Sequence, residues 1–176
     1  ERHKNLVIMD VFSKLIQERI IFIDDVIDAE LANGVIAQML YLDSMNHDTI
    51  SIYINSPGGT VTDGLAIYDI SKILKSPIRT VCVGEAASMA AVLMLMGSER
   101  CGLKHSRLML HQVNSGGRGP LKGMEINLEF SKSLQEDLYK IIEEHTTLTN
   151  IEQLLYFDNW FNVSQALECG LLTKIL

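Results

Sequence analysis

The sequence predicts an α/β protein built on a parallel sheet, and three observations predict it. Short runs rich in branched apolar residues, RIIFI (19–23), ISIYI (50–54) and IRTVCV (78–83), recur through the first half of the chain. Longer segments with apolar residues at helical spacing separate them. Glycine-bearing turns, NSPGG (55–59) and GEAAS (84–88), follow the second and third runs. In such sheets, sites gather at the C-terminal ends of the strands, so these two turns are expected to be neighbours.

Residues 5–17 carry Val7, Val11, Phe12, Leu15 and Ile16 at the spacing of a short amphipathic helix. The strand at 19–23 closes at Asp24 and Asp25. Asp28 is placed to cap a helix running to about Leu42, with a stripe of Leu31, Val35, Ile36, Met39, Leu40 and Leu42. The strand 50–54 leads into NSPGG, where Pro57 cannot extend a central strand. A helix follows from Thr62 to Leu74, then the strand 78–83, which Gly84 is expected to turn. Met89–Met96 is apolar throughout and reads as a buried helix.

The second half is less regular. Ser98–Lys104 is a connection with room for a short strand, and RLMLH (107–111) is a strand ending at His111. QVNSGGRGPLKG is glycine-rich without periodicity. Residues 124–146 form the longest helix, through Met124, Ile126, Leu128, Leu134, Leu138, Ile141 and Ile142. A helical turn is expected at 151–156, and a helix from Val163 to Glu168 between an Asn162 cap and Gly170. The aromatic residues Tyr156, Phe157, Trp160 and Phe161 read as core, and 171–176 as a last strand.

The chain has 176 residues, 47% of them hydrophobic, and a net charge of −7. That charge, with no Lys/Arg cluster, argues against nucleic acid and against a membrane surface. The three cysteines, Cys82, Cys101 and Cys169, are widely spaced and suit buried thiols in a reducing compartment. Cys101 and His105 lack further spaced partners for a zinc site.

Ser88 lies where a strand gives way to the buried helix. One reading is a helix cap; the other is a hydroxyl presented on a sharp turn as a nucleophile. GEAASMA is not the G-x-S-x-G elbow, because Gly84 is too far upstream and Ala90 takes the last glycine's place. His111 ends a strand, and Asp158 lies in YFDNW. Serine needs a base, imidazole can be that base, and a carboxylate can orient the imidazole. Backbone N–H groups can hold the charge developing on an attacked carbonyl, and Gly58 and Gly59 can turn such groups outward. Each residue also has a plain reading: a hydrogen-bonded histidine, an aspartate cap, a glycine turn. The residues alone leave both sets open.

Taken in order, DVFSKLIQERIIF, LANGVIAQMLYLDS, IYINSPGGTVTDGLAIYD, GEAASMAAVL, SRLMLHQ, EINLEF and DNWFNVSQALECGLLTKIL resemble the proteolytic subunit of ATP-dependent Clp protease, the ClpP family, over nearly the whole chain. The resemblance implies Ser88 as nucleophile, His111 as base and Asp158 as acid, with Gly59 and Met89 as backbone oxyanion donors. It implies that Gly116, Gly117 and Arg118 belong to a glycine-rich strand that binds substrate backbone by strand addition, and that neither cofactor nor metal is needed. It further implies a crotonase-like α/β spiral of β-β-α units over a single domain, 1–176, with an N-terminal segment and short helix at 1–18. A protruding handle is expected at 112–147.

The implied assembly is two stacked heptamers, as a homo-oligomer or mixed with a paralogous subunit, fed with unfolded protein by an AAA+ Clp unfoldase that hydrolyses the ATP. The implied location is the cytoplasm, bacterial by default, with an organelle matrix as the alternative. Several residues depart from the family pattern. Ala90 replaces a glycine, Val113 replaces a proline, and the segment before Asp158 is compact and unusually apolar. These departures keep open a catalytically silent subunit of a mixed assembly. A crotonase-type acyl-CoA enzyme is the more distant alternative.

Overall fold

Isoleucines fix the centre of the molecule. Ile50, Ile52 and Ile54 are fully buried, as are Ile23 on one side and Val81 and Cys82 on the other. In the computed structural model, which describes residues 11–176, they lie on three neighbouring parallel strands. In chain order the elements are α1 (Val11–Gln17), β1 (Ile20–Ile23), α2 (Ala29–Met45), β2 (Ile50–Ser56), α3 (Val61–Ile73), β3 (Ile78–Ala87) and α4 (Met89–Met94). Then come β4 (Glu99–Gly102), β5 (Arg107–Leu110), α5 (Leu121–His145), α6 (Ile151–Leu154), β6 (Asn159–Asn162), α7 (Val163–Glu168) and β7 (Lys174–Ile175). The part of the expected 5–17 helix before Val11 lies outside the described residues.

The sheet is parallel in the order β1-β2-β3-β4-β7, the α/β arrangement that the strand–helix alternation predicts. Its long strand, β3, serves two neighbours along the edge away from β2. Arg79–Cys82 pairs with β4, and Glu85–Ala87 pairs with β5. β6 then adds to β5 antiparallel. Between the halves β3 bulges against β2: the partners step from Ile54↔Cys82 to Ser56↔Ala86. Two side chains satisfy the bulge. Asn55 Oδ1 accepts from the Glu85 N–H at 3.1 Å. Ser106 Oγ accepts from the Gly84 N–H at 3.3 Å and donates to the Cys82 carbonyl at 2.8 Å. For this reason β3 does not end at Gly84, as expected, but runs to Ala87, and Ser88 makes the turn.

The helices largely follow their patterns. Asp28 caps α2 by accepting from the Leu31 N–H at 2.9 Å. α2 runs past Leu42 to Met45, where the Arg19 guanidinium bonds the Leu42 carbonyl at 3.0 Å. Its buried face is Ala32, Val35, Met39 and Leu42, while Leu40 turns outward. All six residues of α4 are buried. In α5 only Leu138 and Ile142 are, leaving Leu121, Ile126, Leu128 and Phe130 more than half exposed. Asn162 and Gln165 form a reciprocal capping box on α7.

Two expectations near the C-terminus are corrected. Residues 159–162 are a strand, too short to show a period, and Tyr156, Phe157 and Trp160 are 62%, 75% and 50% exposed, so only Phe161 of that aromatic group packs on the core. The last strand shrinks to Lys174–Ile175, because Leu171 and Leu172 are buried in the turn before it.

Candidate active site

The two glycine turns meet, as expected. Ser88 follows β3 with φ 55° and ψ −125°, a conformation that L-residues rarely hold. Three contacts impose it. The Ser88 N–H donates to the Met109 carbonyl at 2.8 Å, continuing the β3–β5 ladder one step past Ala87. The Ser88 carbonyl accepts from the N–H groups of Ala91 and Val92, opening α4. Gly58 lies directly beneath: a Cβ there would sit 2.7 Å from Ser88 Cβ and 2.6 Å from the Ala87 oxygen. Gly59 is held as closely against Ile27, whose carbonyl oxygen would lie 2.1 Å from an added Cβ. No side chain fits at either position. Ala90 is fully buried, and the first turn of α4 forms around it.

The turn presents the Ser88 hydroxyl to His111, with Oγ 2.8 Å from Nε2. Asp158 stands on the other side of the ring, its Oδ1 3.5 Å from Nδ1. The histidine side chain is 16% exposed and the aspartate 63%, so water reaches the carboxylate. His111 is the first residue past β5, one beyond the end of the strand where the sequence placed it, and β6, pairing with β5, begins immediately after Asp158. The structure thus brings Ser88, His111 and Asp158 together from positions 70 residues apart in sequence. Burial pushes the Cys82 thiol up to about 11, so no thiolate on β3 competes with the hydroxyl near neutral pH. His47 lies 3.4 Å from Asp43, and His145 bonds the last turn of α5, both away from Ser88.

Ser88 and His111 open into a cleft of about 310 Å³ whose deeper walls are Val61, Val92, Met109, Leu138, Ile142 and Leu155. Gly59 and Met89 both border it beside Ser88. Met89 is the first residue of α4, where an N–H has no intrahelical acceptor. Gly116, Gly117 and Arg118 are exposed and do not border the cleft; the part of that segment that lines it is Gln112, Val113 and Asn114. Two glutamines that the sequence reading passed over hold this segment. The Gln112 N–H donates to the Leu155 carbonyl at 2.7 Å and its Nε2 to the Tyr156 carbonyl at 3.3 Å. The Val113 N–H donates to Gln135 Oε1, on α5. A glutamine on an irregular stretch or a helix face carries no signal of such a bond.

Among the described residues no helix is long and apolar enough to cross a membrane, and no three His, Cys, Asp or Glu side chains cluster as metal ligands.

Comparison with known proteins gives consistent matches. The Clp protease family profile matches residues 2–176. A protein of Bacteroides thetaiotaomicron, named ATP-dependent Clp protease proteolytic subunit, is 42% identical over 181 aligned residues, covering all of this chain and 82% of its own length. Proteins with the same name from Bacteroides fragilis and Porphyromonas gingivalis are also 42% identical, covering all of this chain and 87% and 82% of their own lengths.

Proposed function

The chain belongs to the Clp protease family, and on that premise we propose that it is a serine endopeptidase subunit whose nucleophile is Ser88. The observation that carries the reading is the 2.8 Å contact between Ser88 Oγ and His111 Nε2 on a strained turn. His111 takes the hydroxyl proton as Oγ adds to a peptide carbonyl. Asp158 accepts a hydrogen bond from Nδ1–H of the ring, fixes its tautomer and stabilises the imidazolium that forms. The Gly59 and Met89 N–H groups hold the oxyanion. The tetrahedral adduct collapses as His111 gives its proton to the leaving amine, and the acyl group stays on Ser88. Water then attacks the acyl carbonyl, losing a proton to His111, which returns it to Ser88 as the acid product leaves. The apolar depth of the cleft suits an apolar side chain on the acyl side of the cleaved bond.

The larger arrangement belongs to the same reading. The relatives' shared name supports a proteolytic subunit of an ATP-dependent protease; in this reading an AAA+ unfoldase partner hydrolyses the ATP and feeds unfolded chains. Two stacked heptamers would enclose the sites in a chamber. The spiral of β-β-α units and a handle over 112–147 fit this assembly. Leu121 and Leu128 on one side of α5, and Ile126 and Phe130 on the other, leave exposed apolar surface of the kind that a second subunit covers. Gly116, Gly117 and Arg118 lie on the segment expected to add to a substrate strand.

A second reading has one observation in its favour. Asp158 is exposed and its 3.5 Å separation from His111 is long for a hydrogen bond, which suits a silent subunit of a mixed assembly. Incubation of the assembled protein with a fluorophosphonate, followed by peptide mapping, separates the two. Labelling at Ser88 that vanishes in Ser88→Ala supports the peptidase. No adduct on the assembled protein, alone or with its unfoldase, rejects it.

A further inference from the structure

Resting on the reading of Ser88 and His111 as nucleophile and base, we infer that Gln135 is a positioning residue for the base. From His111, just past β5, the chain forms no regular structure until α5. Two backbone bonds hold it at once. The Gln112 N–H ties it to the segment that carries Asp158, and the Val113 N–H ties it to Gln135 across the cleft wall. Both lie within two residues of the imidazole. The orientation of the Gln135 amide is dictated, because a backbone N–H can only donate and so the carbonyl must face Val113. The consequence is unfavourable for Gln135: its Nε2 is buried and finds no acceptor among the described residues. A buried NH2 group without a protein partner is uncommon and calls for a compensating contact. The bond to Val113 accounts for it, since it fixes the strand-end geometry on which the 2.8 Å contact between His111 and Ser88 depends. Small displacements of a reacting group cost large factors in rate.

The test is peptide hydrolysis by the assembled protein carrying Gln135→Leu, with Gln135→Glu and Val113→Pro beside it. Leucine exchanges one unpaired donor, Nε2, for another, the Val113 N–H, so the thermal midpoint should move by no more than about 3 °C. kcat should nevertheless fall at least about tenfold with KM changed less than about threefold, and fluorophosphonate labelling of Ser88 should slow in parallel. Gln135→Glu, which keeps an acceptor for Val113, should recover most of the rate. In a Val113→Pro background, where the donor is gone, Gln135→Leu should have no further effect. Wild-type kcat in Gln135→Leu overturns the inference, as does a change confined to KM, which would make Gln135 a substrate contact. If Gln135→Leu does not fold, Gln135→Ala takes its place, and an additive loss on combining it with Val113→Pro overturns the inference instead. Inactive wild type would overturn the peptidase reading, a separate outcome from inactive variants beside an active parent.

Discussion

Asp158 is the most exposed member of the candidate triad, and its exposure sets what its removal should do. A buried carboxylate that holds a catalytic imidazole is worth about 10⁴ in kcat when changed to an amide that favours the wrong tautomer. Here water shares the carboxylate, and the ring lies 3.5 Å away. Asp158→Asn should therefore lower kcat by a smaller factor, about 10²-fold, while stability stays within about 0.5 kcal/mol of the parent. Paired kinetic and urea-denaturation measurements check both; an unchanged kcat would remove Asp158 from the mechanism. At this scale the sequence was informative about chemistry and silent about support. Ser88, His111 and Asp158 have residue types that announce a role. Asn55, Gln112 and Gln135 act through one side-chain hydrogen bond each, and Ser106 through two, to backbone far away in the chain, and no local pattern marks them.

At the scale of elements, β3 is where the reading of the sequence needed most correction. Its apolar run stops near Val83, and Gly84 looked like an ending. The strand continues because side chains on two neighbouring segments satisfy the bulge, a tertiary effect that propensity cannot register. Ser106, 1% exposed, bonds both sides of it. Ser106→Ala leaves the Gly84 N–H and the Cys82 carbonyl without that partner and should cost about 1–3 kcal/mol. The thermal midpoint should fall by about 2–4 °C for each of those kilocalories. Calorimetry beside the parent protein decides; an unaltered midpoint would mean that the bulge is held by Asn55 and the ladder alone. The helices were more legible, because caps such as Asp28 and Asn162 act within three residues of themselves. β6 was not, since four residues with two half-buried and two exposed positions read equally as a turn.

For the whole molecule, the alternation of strands and helices was enough to predict the parallel sheet, because each β-α crossover is encoded in about thirty residues. The closing of the second half around β5 was not, because β6 and β7 are short and their partners distant. One electrostatic knot ties the first half together. Asp43 Oδ1, at the end of α2, accepts from Ser76 Oγ and Ser76 N, each at 2.7 Å, and from Lys75 N at 3.1 Å, all on the connection between α3 and β3. These bonds, the Ser76 hydroxyl first, hold the Asp43 carboxyl down at about 2, below its ordinary 3.8. A depressed folded value means that the ionised form stabilises above pH 3.8, and that the contribution drains away as pH falls toward about 2. Asp43→Asn should unfold at lower urea than the parent at pH 6, with the gap closing toward pH 2; a gap of constant size would show that charge is not involved. The late strand has a different consequence, in time. β5 leads into His111 but finds its outer partner only in Asn159–Asn162, and Asp158 comes immediately before it. A ribosome makes the candidate nucleophile 70 residues before the candidate acid, and a domain folds as a unit. A nascent chain therefore carries the candidate serine without the candidate acid until its last strands are out, and peptidase activity is expected only once synthesis is nearly complete.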